Sequence, residues 1–288
     1  MFKKNLENLK EHLQKNNIDL AVITDDDSLY YFTGYYDFLH MSFGRPTILL
    51  VPKDSETLLI TPLIDVHLVN KNCPVDKITT WNDGVDNEWR EQLPKYIKQN
   101  LNVAIEKLKI SSLVLNYITS LLDENLLKNI TPTLDSIRMI KTKEELKIAK
   151  SAGKVAEAMM YAGKEAIGHD VPEYEVALAT SQAGTRKAAE ILKNEFEESD
   201  MSPLIHFLQI MASGKDLPKT HHRASTKLIK KGDPVFLCFC GMTNFHKFKL
   251  GFDRTFWLSE INDKSQIKTY ETAVQSQKAA LSVLGPGV

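Results

Sequence analysis

The sequence between residues 219 and 258 brings together histidine, cysteine and aspartate side chains that could exchange protons or bind a metal. His221 and His222 lie in the polar stretch PKTHHRAS, Cys238 and Cys240 in VFLCFCG, and Asp253 in LGFDRTFWL. A histidine with its ordinary pKa of about 6.5 is a suitable acid–base group at neutral pH. The alternative interpretation of the two histidines is a pair of solvated loop residues.

Cys238 and Cys240 are two residues apart and would share one face of a strand. Such a pair could give two thiolates to zinc, but structural zinc sites need about four ligands at recognisable spacing. The sequence has no second C-x-x-C or H-x-x-x-H pair. We therefore interpret both cysteines as core residues. With Cys73 the total is 3, an odd number without a disulfide framework, which is typical of a reduced, cytoplasmic protein.

Two further side chains could contact a small charged molecule. Arg45 stands between a glycine and a proline in SFGRPT, at the expected start of a strand, where a guanidinium can bind a carboxylate through two hydrogen bonds. Asp253 precedes Arg254, and strand alternation would direct the two side chains to opposite faces. The alternatives are a surface arginine and a surface ion pair, which contribute little to stability.

Composition excludes several classes of function. The chain has 288 residues, 43% of them hydrophobic, which is enough for more than one domain. Its net charge is −1, and its lysines are not clustered on a basic face of the kind that binds nucleic acid. The amino terminus lacks the apolar core of a signal peptide, and no segment is apolar enough to span a membrane. We therefore expect neither a nucleic-acid partner nor a membrane.

The pattern of apolar residues predicts two structural regions. Strands and helices alternate from residue 1 to about 135, which indicates an α/β domain with Asp25, Asp26 and Asp27 in a polar loop after the first strand. Within it, residues 47–51 and 57–60 are expected to form a hairpin.

Near residue 140 the pattern changes to two long helices, then strands, then a final helix, which indicates an α+β region. Thr142 and Glu145 form a capping-box pattern before the first long helix. Its apolar face is expected to begin at Leu146 and continue through Ala152 and Val155.

Five motifs then suggest a family: SFGRPTILLV, VPEYEVALATSQA, SGKDLPKTHH, KKGD and FDRTFWL. In this order they resemble the creatinase, aminopeptidase P, prolidase and methionine aminopeptidase superfamily, and most closely its creatinase-like, metal-independent members. The resemblance implies a creatinase-type N-terminal α/β domain over residues 1–138. It also implies the first half of an α+β pita-bread domain over residues 139–288, so that the chain is expected to be a fragment of a longer protein.

The same resemblance has consequences for metal binding. Most members bind two divalent metals through acidic residues, and two of those positions fall here on Cys238 and Gly251. Glycine has no side chain to donate, and one cysteine does not replace two carboxylates for hard cations. We therefore expect no metal cofactor; the alternative is a divalent metal such as Mn, Co or Zn.

Specific roles follow from the resemblance to creatinase. His221 matches the catalytic histidine, and Asp253 matches the acid that holds the cationic end of the substrate. Arg45 and Phe43 match residues that bind the substrate carboxylate from the partner subunit's N-terminal domain in a homodimer. Lys249 stands where a tyrosine contacts the substrate.

The implied function is metal-free hydrolysis of a C–N bond in a small amidine or amide that bears a carboxylate. The alternatives are a metal-dependent Xaa-Pro dipeptidase or aminopeptidase and a non-catalytic pita-bread binding protein.

Overall fold

The computed structural model describes residues 1–36, 44–84, 88–204, 210–219, 221–239, 243–261 and 263–288. Phe43 and Cys240 therefore lie outside the described residues. The chain divides into two compact units, Met1–Leu146 and Lys147–Val288.

The first unit is an α/β structure around one six-stranded sheet. Its strands are β1 (Leu20–Ile23), β2 (Ile48–Pro52), β3 (Leu58–Pro62), β4 (Lys77–Trp81), β5 (Val103–Ile105) and β6 (Leu127–Asn129). Its helices are α1 (Phe2–Lys15), α2 (Asp26–Thr33), α3 (Trp89–Tyr96), α4 (Ser112–Leu121) and α5 (Thr131–Met139). The strand order is β4-β3-β2-β1-β5-β6. The predicted hairpin is confirmed by the antiparallel pairing of β2 with β3.

Both faces of this sheet are buried, which explains why its central strands are apolar at every position. On one face Val22, Leu50 and Ile105 pack with residues of α3 and α4. On the other, Ile23 and Leu49 pack with residues of α1, α2 and α5. The first unit therefore has two layers of helices around a shared sheet, and each layer closes its own core.

The polar loop predicted at Asp25, Asp26 and Asp27 is wrong, because these residues begin α2. The side chain of Asp25 accepts a hydrogen bond from the backbone N–H of Ser28 at 3.1 Å and so caps the helix. Asp26 and Asp27 occupy the first turn, where negative charge is favourable to the helix dipole. The acidic run is therefore a helix-start signal.

The second unit has the predicted α+β order. Its helices are α6 (Lys143–Ala166, which starts before the unit boundary), α7 (Glu173–Glu195) and α8 (Lys264–Ser282). Its strands are β7 (Ile210–Ser213), β8 (Pro234–Cys238), β9 (Thr243–Phe245), β10 (Phe248–Leu250) and β11 (Asp253–Trp257). Strands β11, β8 and β7 form an antiparallel sheet in that order, and β9 and β10 form a separate hairpin. Helix α8 buries none of its side chains.

The start of α6 confirms the capping box. The backbone N–H of Thr142 donates to Glu145 Oε2 at 2.6 Å, and the backbone N–H of Glu145 donates to Thr142 Oγ1 at 3.2 Å. The predicted start of the apolar face is wrong, because Leu146 is 49% exposed while Ile148 and Ala152 are buried. Leu146 lies about 200° around the helix from Ile148 and therefore on the solvent side.

Close packing of α6 depends on Gly163. A Cβ at this position would lie 2.7 Å from Thr180 Cγ2 of α7 and 2.8 Å from Leu237 Cδ1 of β8. Only a residue without a side chain allows α6, α7 and the three-stranded sheet to approach this closely.

Candidate functional site

The three-stranded sheet has two different faces, because residues paired across neighbouring strands point to the same side. One face, called here the helix face, contacts α6 and α7. Its residues are Met211, Ser213, Val235, Leu237, Arg254 and Phe256. The opposite face, called here the Asp253 face, comprises Ile210, Ala212, Phe236, Cys238, Asp253, Thr255 and Trp257. The expectation that Asp253 and Arg254 point to opposite faces is met by this register.

One row of residues crosses the Asp253 face. Asp253 pairs with Cys238, Cys238 pairs with Ile210, and an isolated bridge pairs Ile210 with Arg223. Cys238 is buried at 5% exposure, whereas Asp253 and Arg223 are exposed. The row therefore joins the segment that follows His221 to the strand that carries Asp253.

His221 has an unusual backbone. Its φ is 60°, in the left-handed region that side chains with a Cβ rarely adopt, and its side chain is exposed. His222, the next residue, is held by two contacts with Met211. Its Nδ1 lies 2.8 Å from the carbonyl oxygen of Met211, and the backbone N–H of Met211 donates to the carbonyl of His222 at 3.0 Å. Neighbouring groups thus hold the strained conformation of His221 in place, a pattern that is concentrated at functional sites.

His221 and Asp253 share no hydrogen bond or ion pair among the described residues. Strands β7 and β8 lie between Asp253 and the chain at Arg223, so these two chain segments are separated by about 14 Å at the usual strand spacing. A small molecule that contacted both segments would therefore lie across the Asp253 face.

Arg45 lies in the first unit and forms an ion pair. Its Nε lies 2.5 Å from Asp83 Oδ2, and both side chains are about half exposed. The two terminal nitrogens of the guanidinium have no hydrogen-bond partner among the described residues, and together they could bind a carboxylate through two hydrogen bonds. Phe43, its expected neighbour in binding, falls in the undescribed stretch.

Lys249 and Gly251 flank the turn into β11. Lys249 is exposed on β10, where it pairs with Asn244 in the short hairpin. Gly251 is exposed and precedes Asp253 by two residues, which places it along the same side of the chain as Asp253.

Glu173 is the group that sequence reasoning missed. It is the first residue of α7, and its carboxylate is fully buried. Its Oε1 accepts hydrogen bonds from the backbone N–H of Ser213 at 3.0 Å and from its hydroxyl at 2.7 Å. Its Oε2 accepts the same two groups of Ser225 at 3.1 and 2.7 Å. Four donors compensate the burial of this charge.

A second acid holds the same segment. Asp216 is 6% exposed and lies 2.6 Å from Lys219 Nζ and 2.8 Å from Lys227 Nζ. Hydrogen bonds from Lys219 and Lys227 hold the pKa of this carboxyl far below its usual range. Lys227 also donates to the backbone carbonyl of Ser213. The segment from Ser213 to Lys227 is therefore tied together on both sides of His221.

A groove of about 480 Å³ lies on the other side of the sheet. Its lining includes Met160 and Tyr161 of α6 with Phe252, Arg254 and Phe256. Arg254 and Phe256 belong to the helix face, and Phe252 extends it by one alternation. The sheet therefore separates this groove from Asp253.

The donor atoms of the described residues do not make a metal site by themselves. Within the described ranges, no three His, Cys, Asp or Glu side chains are grouped closely enough to hold a metal ion. Cys238 and Asp253 share one row, but the position two residues before Asp253 is glycine. Across the part of the chain that the structure covers, no helix combines the length and apolarity needed to cross a bilayer.

Comparison with known proteins identifies the class. Residues 5–140 match the Creatinase/Prolidase N-terminal domain, and residues 147–288 match metallopeptidase family M24. The chain therefore belongs to the creatinase, aminopeptidase P and prolidase superfamily of hydrolases, with an N-terminal creatinase domain followed by residues of the M24 pita-bread domain.

Individual relatives are distant but match along almost the whole chain. Creatinase from Bacillus sp. (strain B-0618) is 24% identical over 97% of this chain and 65% of its own length. Xaa-Pro dipeptidase from Pyrococcus furiosus is 26% identical over 100% of this chain and 74% of its own length. The crystal structure of prolidase from Thermococcus sibiricus superposes with a TM-score of 0.79 at 21% identity, covering 100% of this chain and 74% of that chain. The chain thus spans about two thirds to three quarters of these relatives.

Proposed function

We propose that this protein hydrolyses a C–N bond of a small amidine or amide that bears a carboxylate, and that it does so without a metal. The observation that carries the proposal is the row that crosses the Asp253 face. It aligns an exposed carboxylate at Asp253 with the segment that bears His221, across a buried cysteine. Membership in a superfamily of hydrolases supplies the class of reaction.

Each charged group would contact a different part of the substrate. Asp253 would hold the cationic or amide nitrogen end, because an exposed carboxylate is complementary to a cation. Arg45, oriented through Nε by Asp83, would bind the substrate carboxylate with its two terminal nitrogens. We propose that Arg45 does this at the active site of a second subunit in a homodimer, with Phe43 beside it and Lys249 near the substrate.

His221 would move the proton. As a base it would take a proton from water, whose oxygen forms the new bond to the carbon of the amidine or amide. As an acid it would return that proton to the nitrogen as the C–N bond breaks, so that the leaving group departs as a neutral amine. Positioning of the two charged ends by Arg45 and Asp253 would reduce the entropic part of the barrier.

A second candidate is a metal-dependent Xaa-Pro dipeptidase. It is favoured by the match to a family of metallopeptidases and by relatives that carry this name. Among the described residues, Cys238 and Asp253 share one row as candidate ligands, and two groups are too few to bind a hard divalent cation.

The test combines two inactive variants. Arg45→Ala and His221→Ala are purified separately and assayed with creatine, a set of small N-acyl and amidino carboxylates, and Xaa-Pro dipeptides, after chelation and with added Mn²⁺. If Arg45 acts across subunits, each variant alone is inactive, whereas an equilibrated equal mixture regains about a quarter of the wild-type activity through mixed dimers.

Several results would contradict the proposal. Full activity in His221→Ala excludes His221 as the acid–base group. Hydrolysis of Xaa-Pro dipeptides only with added Mn²⁺ supports the second candidate instead. Inactivity of the wild-type protein toward every compound favours a binding protein over an enzyme.

A further inference from the structure

The segment that carries both histidines is closed at its base by one buried carboxylate. Ser213 ends β7 and Ser225 follows His221 by four residues, and each gives its backbone N–H and its hydroxyl to Glu173. Eleven residues, 214–224, lie between these two serines. The carboxylate thus joins the two ends of the loop directly, with one oxygen for each end.

Glu173 is itself held rigidly. Its backbone N–H donates to the carbonyl of Lys227 at 2.9 Å, and the N–H of Tyr174 donates to the carbonyl of Ser225 at 3.0 Å. It also begins α7, where the helix dipole favours a negative charge. A carboxylate fixed by its own backbone can transmit the position of α7 to both ends of the loop.

The contacts continue to the histidines. His222 Nδ1 lies 3.9 Å from Glu173 Oε2 and 2.8 Å from the carbonyl of Met211. His221 is the next residue toward the amino terminus, and its left-handed backbone needs neighbours that determine its conformation. The groups that do so are therefore His222, Ser225 and, through them, Glu173.

We propose that Glu173 is a positioning residue for His221: it fixes both ends of the loop that bears the imidazole. This inference rests on the proposed function, in which His221 exchanges the proton. It gives Glu173, the first acid of the VPEYEVAL motif, a function beyond starting a helix.

The experiment uses Ser225→Ala and Glu173→Gln in the full protein. Ser225→Ala removes one hydroxyl donor on the loop side. Glu173→Gln places an amide NH₂ against a serine N–H, so one end of the loop loses its acceptor. Ser28→Ala is the matched control, since the hydroxyl of Ser28 likewise donates to a buried carboxylate, that of Glu106, in the first unit.

A positioning role predicts a specific pattern. For whichever substrate the wild type hydrolyses in the set above, kcat should fall roughly tenfold or more in Ser225→Ala and Glu173→Gln while KM stays within about twofold. In Ser28→Ala kcat should not change, although all three variants lose stability. Equal kcat in all three folded variants would overturn the inference.

Hydrogen exchange provides a readout that does not depend on activity. Peptides covering residues 214–224 should exchange faster in Ser225→Ala and Glu173→Gln than in the wild type, while peptides of β8 stay protected. Unchanged exchange in this segment would refute the role of Glu173 even if the enzyme is active. If the wild-type protein hydrolyses none of the substrates, the proposed function is refuted. The hydrogen-exchange result then decides alone whether Glu173 fixes the loop.

Discussion

At the scale of single residues, His221 combines an exposed ring with a backbone that costs free energy. A left-handed conformation at a residue with a Cβ costs about 1 kcal/mol, and His221 is one of seven non-glycine residues with a positive φ in the described part of the chain. Strain of this kind is retained where it positions a side chain for function. The strained residue, His221, is also the one that the sequence motif predicts to be catalytic.

Replacing His221 by glycine and by alanine separates strain from function. Both variants lack the ring and should be inactive, but glycine adopts a positive φ freely. His221→Gly should therefore be more stable to urea than His221→Ala by about 1 kcal/mol. The control is Lys231, an exposed turn residue that is not among those with a positive φ, where glycine should give no such gain over alanine. Equal stability of the two His221 variants would contradict the strain.

The limits of sequence reasoning are clear for Glu173. Its position at the start of a helix gives it an ordinary explanation, since acids are favoured in the first turn whether or not they are buried. Burial here depends on Ser213 and Ser225, which are 40 and 52 residues away. Cys238 was easier, because free cysteine is commonly buried, and the structure buries it.

At the scale of elements, the junction of β1, α2 and β5 is organised by Glu106. Its carboxylate is 1% exposed and accepts the backbone N–H groups of Thr24 and Asp25, each at 3.2 Å, and the hydroxyl of Ser28. Arg138 of α5 donates to the same hydroxyl at 2.6 Å. Burial raises the pKa of Glu106 above its ordinary 4.5, against the effect of these hydrogen bonds.

This pKa shift predicts a pH-dependent stability. A carboxyl group whose pKa is higher in the folded state binds its proton more tightly there, so its contribution is greatest below pH 4.5 and declines as pH rises through the folded-state pKa. Glu106→Gln cannot titrate, and its amide can accept from both N–H groups and donate to Ser28. Relative to the wild type, the variant should gain stability as pH rises above about 4.5, measured by urea unfolding across pH 4 to 8. A constant difference across this range would rule out the shift.

The elements themselves were largely predictable, and the exceptions have physical causes. Apolar runs identified the strands, and Thr142 with Glu145 identified the start of α6. Asp25 to Asp27 were misread because aspartates are as common in loops as at helix starts, and only the hydrogen bond to Ser28 distinguishes the two. Leu146 was misassigned because Leu146 and Ile148 are both apolar, and spacing alone does not decide which of them begins the buried face that continues at Ala152.

At the scale of the whole molecule, the two units have separate cores. The apolar clusters on both faces of the six-stranded sheet are made entirely of residues from 1–146. The order of motifs along the sequence predicted the family and the α/β to α+β order, because these depend on local patterns. The row from Asp253 to Arg223 could not be predicted, since strand register over such distances is not encoded in any one segment.

A polypeptide of residues 1–146 should therefore fold alone and unfold cooperatively in urea, monitored by fluorescence of Trp81 and Trp89. A shorter piece that ends at residue 130 is the control. It lacks α5 and with it the fully packed Leu134, so it should be less stable by about 2–5 kcal/mol or fail to fold. If the two pieces are equally stable, α5 does not close the core as described.

The exposed helix α8 has one more consequence. Near its start α8 is linked to the sheet, where Trp257 donates to Gln266 at 3.0 Å and its ring meets that of Tyr270. In the following turns only Val274 is partly buried, and a segment of about three turns is only marginally helical in water without packing. On heating, the far-ultraviolet circular dichroism of this chain should therefore decline along a sloping pre-transition baseline, as α8 frays from its carboxyl end before any core is exposed.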